Sequence, residues 1–180
     1  MEGVNYFTIA FILAAGISIT GSTPTTGHLY NALNTGDRIW VYKRSYELHD
    51  ENNDLHTCVA AQRTYLTTSS YQFIQNYLAG KTRHTEELFA TIAQGPRGLP
   101  ILDVSKKPET HGQVYTLEHW NEEQHCAVLT VELFGKTQCE LHVWEQDIKR
   151  YTPSTCDTVY ASICYEQHTV FSSDCLNPAY

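Results

Sequence analysis

Six cysteines are the feature that most restricts what this chain can fold into. None of them lies before position 58; they are Cys58, Cys126, Cys139, Cys156, Cys164 and Cys175. An even number of cysteines behind an export signal indicates a framework of disulfide bonds, which persists in oxidising compartments. The cysteines therefore predict a secreted, extracellular protein, although six cysteines allow many different pairings.

The export signal is an apolar segment at the N-terminus. Residues 1–22 contain the apolar run Tyr6–Ala15, followed by small and polar residues. This run is too short to span a bilayer and has the length of a signal-peptide core. We therefore predict a signal peptide at residues 1–22 and no membrane segment. The alternative is that the run forms a buried apolar helix of the mature fold.

The remaining residues, 23–180, have the length of one domain with one core. The chain has a net charge of −8, with 20 acidic and 12 basic residues. Non-specific nucleic-acid binding needs clustered Lys and Arg, so this charge balance argues against nucleic acid as a partner. Acidic lipid surfaces are poor partners for the same reason. We expect a monomer.

Short segments rich in Val, Ile, Thr and Tyr follow one another at hairpin spacing and predict about eight β-strands. They are Arg38–Leu48, His56–Thr67, Ser70–Leu78, Thr82–Gln94, Leu99–Val104, Gln113–Trp120, Cys126–Phe134 and Glu140–Trp144. In the fourth segment, Glu86–Ala90 could also be helical. Such a series is typical of a closed antiparallel barrel or a sandwich. In the seventh segment one face is uniformly apolar and is assigned to the interior; it consists of Ala127, Leu129, Val131 and Leu133.

Helix signals precede and follow the strands. An apolar patch at His28–Leu33 predicts one or two helical turns. Ser154 and Asp157 resemble a capping box ahead of apolar residues at helical spacing. We therefore predict a second helix, over about residues 155–167, lying against the outer wall of the barrel. A coil would then carry the chain to Cys175.

Three segments carry a resemblance to a known family. Residues 46–59 (YELHDENNDLHTCV) place a strand-ending Tyr twelve residues before a Cys, residues 142–156 read HVWEQDIKRYTPSTC, and residues 170–177 read VFSSDCLN. In this order the segments resemble the tick salivary lipocalins, the family of histamine-binding and Japanin-like proteins. The resemblance implies an all-β fold: an eight-stranded antiparallel lipocalin barrel with a C-terminal α-helix packed outside and a short N-terminal helix.

The resemblance also implies a disulfide pattern. It implies two bridges, Cys58–Cys175 and Cys126–Cys156, and with them the third, Cys139–Cys164. All three would be structural bridges that tie the C-terminal segment to the barrel. Residues 23–180 would then form a single lipocalin domain.

Amine-binding members of the family hold the positive charge of the ligand with carboxylates, because a buried cation needs a paired anion. At the positions that match those acids this chain has other residues, namely Asn34, His49, Leu117, Ala127 and His142, and Asn52 stands in place of a family Trp. The resemblance therefore implies a small-molecule carrier that lacks most of the acids of the amine site. Local realignment could bring Glu47, Asp50, Glu118 or Asp147 into that role.

The side chains that remain for a cavity are aromatic and aliphatic, with one cation. The predicted ligand-binding residues are Trp40, Tyr42, Arg44, Tyr46, Tyr115, Leu117, Leu129, Val131 and Trp144. A cavity with such a lining favours a sterol, fatty acid or eicosanoid. Arg44 could meet a carboxylate or hydroxyl of the ligand. The alternatives are ordinary core packing for the aromatic residues and a solvated position at the rim for Arg44.

Signals for other chemistry are weak. The chain has no nucleophile elbow and no Gly-rich phosphate loop, and His119, His125 and His142 do not have the spacing of known metal ligands. We therefore predict no enzymatic activity, no cofactor and no metal. The leading hypothesis is a secreted lipocalin that binds a small hydrophobic ligand and modulates host immune and inflammatory defence. The alternatives are a scavenger of histamine or serotonin, and an immunomodulator whose outer surface binds a host immune protein or cell.

Overall fold

The computed structural model of the protein describes residues 23–177, so the predicted signal peptide at residues 1–22 lies outside the described residues. The elements in chain order are α1 (Thr26–Leu33), β1 (Ile39–Arg44), β2 (His56–Leu66), β3 (Ser70–Ala79), β4 (Thr82–Gln94), β5 (Pro100–Ser105), β6 (Gln113–Asn121), β7 (Cys126–Leu133), β8 (Lys136–Trp144), α2 (Glu145–Ile148), α3 (Thr155–Ile163), β9 (His168–Thr169) and a 3₁₀ turn (Ser173–Leu176). Among these, no helix has the length and apolar character needed to cross a membrane.

Strands β1 to β8 form a closed antiparallel barrel, which confirms the predicted fold. Each strand from β2 to β8 pairs with the next, and β1 closes the ring by pairing with both β8 and β2. Alternate side chains point to opposite sides of the wall. In β7, for example, Leu129 joins the apolar cluster inside the barrel, whereas Val128 joins a second cluster outside it.

Helix α1 closes one end of the barrel. Thr25 and His28 form a capping box at its start, which satisfies backbone N–H groups that the first turn leaves free. Its buried face, Leu29, Ala32 and Leu33, joins the inner apolar cluster. Trp144 at the end of β8 donates a 2.9 Å hydrogen bond from its indole nitrogen to the Ala32 carbonyl, so the helix and the barrel floor are joined.

Helix α3 packs against the outer face of β6, β7 and β8, as predicted, but it is shorter than predicted. Ser154 and Asp157 form the expected capping box. The helix ends at Ile163 instead of continuing to residue 167, because Cys164 adopts an extended conformation and is bonded to Cys139 in β8.

The segment that follows α3 is not the predicted coil. Strand β9 pairs with the end of β1, and Val170 then bonds to both neighbouring strands: its N–H donates to Tyr42 at 3.1 Å, and its carbonyl accepts from Cys58 at 2.8 Å. Strands β1 and β2 pair directly at only two positions, Ile39 with Ala61 and Trp40 with Ala60. The C-terminal segment therefore fills the seam between β1 and β2.

Three disulfide bridges hold these outer elements to the barrel. They join Cys58 to Cys175, Cys126 to Cys156 and Cys139 to Cys164, which is the pairing that the family resemblance implies. The first fixes the seam segment to β2, and the other two fix the two ends of α3 to β7 and β8. All six cysteines are bonded.

We predict that the bridge at the seam contributes most to stability, because it closes the longest loop. Cys58 and Cys175 are 117 residues apart, whereas Cys139 and Cys164 are 25 apart. From loop entropy we expect the free energy of unfolding to fall by about 5 kcal/mol in the Cys58→Ala/Cys175→Ala variant. In the Cys139→Ala/Cys164→Ala variant it should fall by about 3.5 kcal/mol. Urea denaturation of both variants measures this. An equal or reversed order would mean that native contacts, and not loop length, set the contribution of each bridge.

Candidate functional site

A cavity of about 560 Å³ occupies the interior of the barrel. Its floor is the buried face of α1, and its upper wall reaches the loop between β5 and β6, where the side chain of His111 is fully exposed. The cavity is therefore closed at the α1 end and approaches the surface at the opposite end. Its volume falls in the range of sites that enclose small organic molecules.

Most of the cavity wall is apolar. The side chains come from all eight strands of the barrel and from α1, and they are mainly aliphatic and aromatic. They include Leu29, Leu33, Ile39, Val41, Val59, Tyr71, Phe73, Leu88, Leu102, Val104, Tyr115, Leu117, Ala127 and Leu129. Tyr71 and Phe73 stack with ring centroids 4.7 Å apart, which gives this part of the wall a flat aromatic surface.

A buried carboxylate, Glu140, stands in this apolar wall and is held by two neighbours. The Tyr46 hydroxyl donates a short hydrogen bond to one oxygen, and His142 Nε2 lies 2.7 Å from the other. Burial alone raises the pKa of Glu140, but its hydrogen bonds with His142 and Tyr46 and the charge of Arg44 outweigh it, so its pKa lies below the ordinary carboxyl value. The same burial, together with the Glu140 charge, raises the pKa of Tyr46. Glu140 is therefore ionised and Tyr46 remains a donor.

A cation, Arg44, lines the same cavity. Its side chain is nearly inaccessible, with the residue 3% exposed. One guanidinium nitrogen donates a 2.9 Å hydrogen bond to the His56 carbonyl, and the guanidinium lies 5.1 Å from the ring centre of Tyr46. The Nε atom of Arg44 and the Nε2 atom of His56 are buried without a hydrogen-bond partner, as is the Tyr71 hydroxyl.

The upper rim is polar. Asp103 holds the loop between β5 and β6 through its contacts with His111 Nδ1 at 2.7 Å and the Gly112 N–H at 2.8 Å, and these hydrogen bonds lower the pKa of Asp103. Gly112 is required there because a Cβ atom would lie only 2.0 Å from the Val104 carbonyl oxygen. Lys106 and Glu86 pair at 3.1 Å across the rim. The rim is thus held by local hydrogen bonds and ion pairs.

Five of the nine residues proposed from the sequence line this cavity, namely Arg44, Tyr46, Tyr115, Leu117 and Leu129. Val131 is buried but does not line the cavity, and Trp144 lies beneath it in the floor. The indole of Trp144 stacks on His125 with a centroid distance of 4.2 Å and bonds to α1. These two residues therefore support the site without facing it.

Trp40 and Tyr42 lie outside the barrel, contrary to the sequence-based expectation. A β-bulge in β1 shifts the pairing with β8 between Val41 and Lys43. Because of this extra residue, Tyr42 and Lys43 both face outward, where Tyr42 packs on Tyr151 and Lys43 pairs with Asp157. Strict alternation from Tyr46 back to Trp40 therefore assigned Trp40 and Tyr42 to the wrong face, while Arg44 and Tyr46 face inward.

Sequence reasoning missed Glu140, His56, Tyr71 and Phe73. Glu140 could have been found, since it lies two residues before His142 on the same face of β8. None of the four acids considered as replacements lines the cavity; they are Glu47, Asp50, Glu118 and Asp147. Glu47 is exposed to solvent. The buried carboxylate of the cavity, Glu140, therefore comes from a position that the family comparison of acids did not cover.

Two solved structures are similar to this chain. The fold of Japanin from Rhipicephalus appendiculatus, in a crystal structure bound to cholesterol, matches with a TM-score of 0.57 at 16% identity, covering 81% of this chain and 98% of that one. Apocrustacyanin C1 matches with a TM-score of 0.47 at 10% identity, covering 84% of this chain and 88% of that one. No curated protein sequence matches the chain.

One family model matches the whole described part of the chain. It is the model for the tick histamine binding protein, and the match extends over residues 23–177. That range contains the barrel, the helix packed on its wall and all three bridges. The chain therefore belongs to the tick histamine-binding protein family.

Proposed function

We propose that this protein is a secreted tick lipocalin that binds a small hydrophobic ligand, of the sterol, fatty acid or eicosanoid type, inside its barrel. By sequestering this ligand it modulates host immune and inflammatory defence. The observation that carries the proposal is the enclosed apolar cavity of about 560 Å³. Burial of apolar ligand surface against such a wall is favourable by about 25 cal/mol per Å². Action by stoichiometric binding needs no catalytic group.

The charges inside the cavity support this proposal. Arg44 and Glu140 are opposite charges in one cavity, and neither reaches bulk water. The two charges sum to zero although they form no ion pair with each other, so a ligand need not bring a positive charge. The cholesterol in the crystal structure of Japanin supports a hydrophobic ligand for the same fold. Three disulfide bridges support secretion.

Filling the cavity should abolish ligand binding without unfolding the protein. Ala127 lines the lower cavity, so an Ala127→Phe variant places a ring in the space that the ligand needs. We expect the affinity for a fluorescent fatty acid or sterol to fall by about 10-fold or more, the equivalent of about 1.4 kcal/mol. Fluorescence titration measures this, and native mass spectrometry with lipid extraction identifies any ligand that copurifies with the wild-type protein.

A matched control comes from the outer face of the same sheet. Val114 is 39% exposed in β6, so Val114→Phe adds the same kind of ring outside the barrel and should leave binding unchanged. If the wild-type protein takes up neither fatty acid nor sterol, or if both variants bind as the wild type does, the cavity is not the binding site and the proposal fails.

Biogenic amines are the second candidate, and Glu140 is the observation that favours them. A buried carboxylate is the counter-charge that an ammonium group requires in an apolar cavity. Two features oppose this candidate. Both oxygens of Glu140 already have partners in Tyr46 and His142, and the charge of Arg44 acts on the same carboxylate. An ammonium ion would have to displace one partner while Arg44 repels it.

We therefore expect histamine and serotonin to bind more weakly than about 100 μM, a level at which binding free energies are near −5.5 kcal/mol. Isothermal titration calorimetry of the wild-type protein and of Glu140→Gln measures this. Micromolar binding that is lost in Glu140→Gln would instead establish the amine function, because removal of a buried counter-charge costs about 3–5 kcal/mol.

A further inference from the structure

Arg44 is a buried cation without an anion. Of the carboxylates among residues 23–177, none lies within ion-pairing distance of its guanidinium, although Arg38, Lys43 and Arg97 each have one despite being more exposed. Buried charges in proteins are normally paired, because removing an ion from water is strongly unfavourable. The unpaired guanidinium lines the cavity, so the missing anion has room to come from the ligand.

Hydrogen bonding at Arg44 is also incomplete. One terminal nitrogen is committed to the His56 carbonyl at 2.9 Å, whereas Nε is buried and without a partner. The Nε2 atom of His56 is buried and without a partner as well, and His56 lines the same cavity. Burial and the nearby Arg44 lower the pKa of His56, so its imidazole is neutral at neutral pH and can donate one hydrogen bond. Two buried nitrogens without a partner thus belong to two residues in direct contact.

Glu140 is not the missing anion. Its oxygens are occupied by Tyr46 and His142, and its separation from Arg44 exceeds the length of an ion pair. Glu86, the other acid that lines the cavity, pairs with Lys106 at the rim. Among the described residues, the acids of the cavity therefore have partners of their own, and Arg44 has no acidic partner.

We propose that the natural ligand is a lipid monocarboxylate, and that Arg44 and His56 together bind its carboxylate. This inference rests on the proposed function and narrows its ligand class. The carboxylate lies against the β1–β2 seam in the upper half of the cavity, with the Arg44 guanidinium and the His56 imidazole as donors. The apolar chain extends down toward the floor formed by α1, past Phe73 and Leu117.

A carboxylate suits this position better than a hydroxyl group. A hydroxyl can accept a hydrogen bond from the Arg44 guanidinium, but it places no anion in contact with the buried positive charge. A carboxylate supplies both the charge and two acceptor oxygens, and hydrogen bonds between ionised partners are roughly twice as strong as neutral ones. Because Arg44 has no acidic partner, it favours a negatively charged ligand over a ligand that is only polar.

The test compares ligands that differ only at the polar end. Dodecanoic acid, its methyl ester and dodecan-1-ol compete with a fluorescent fatty acid for the purified protein at neutral pH. We expect the acid to bind about 10-fold or more tightly than the ester and the alcohol. In Arg44→Met, which keeps an apolar stem but removes the charge, the acid should lose this advantage while the alcohol binds as before.

The control variant is Arg97→Met, which removes an arginine from an exposed ion pair with Glu118 outside the cavity and should preserve the preference for the acid. Equal binding of acid, ester and alcohol to the wild-type protein would overturn the inference while leaving the proposed function intact. Failure of these three ligands and of a sterol to bind would instead overturn the proposed function. The comparison of acid with ester needs no variant, so the inference stays testable even if Arg44→Met does not fold.

Discussion

Closure of the barrel at the β1–β2 seam is the constraint on which the rest of the structure depends. Strands β1 and β2 pair directly at two positions only, so the upper half of this junction would expose unpaired backbone groups. The C-terminal segment satisfies them through Val170, which bonds to Tyr42 on one side and Cys58 on the other. Because the bridge from Cys58 to Cys175 holds that segment in place, the cross-link completes the wall instead of only reinforcing it.

The bulge in β1 determines which side chains of that strand face the cavity and which face outward. Above the bulge, Lys43 faces outward and pairs with Asp157 of α3, which fixes the helix to the barrel. The next residue, Arg44, faces inward and lines the cavity. Because of the extra residue, Val41 and Arg44 both face the cavity although they are three positions apart. Without the bulge, regular alternation would place either Tyr42 or Lys43 inside the apolar cavity.

The fold was largely predictable from the sequence because it depends on local patterns. Strands such as β4 and β7 were predicted nearly to their ends, since alternation and turn residues act over a few positions. The capping box at Ser154 likewise marked the start of α3. The placement of Trp40 was not predictable, because a bulge depends on the pairing of β1 with a strand about 100 residues away. The short β9 was missed for the same reason: its two residues form a strand only against β1.

The two buried charges of the cavity, Glu140 and Arg44, differ in their hydrogen bonding. This difference says more about the ligand than the presence of the charges does. Glu140 is fully engaged, so its charge fixes the orientation of Tyr46 and leaves little for a ligand. Arg44 bears the opposite charge and remains incompletely bonded. In a low-dielectric interior a polar group without a partner raises the free energy of the protein. A ligand that bonds to Arg44 removes this cost, so Arg44 has more influence on ligand selectivity than Glu140 has. On this basis we propose that the cavity selects against cations even though it contains a carboxylate.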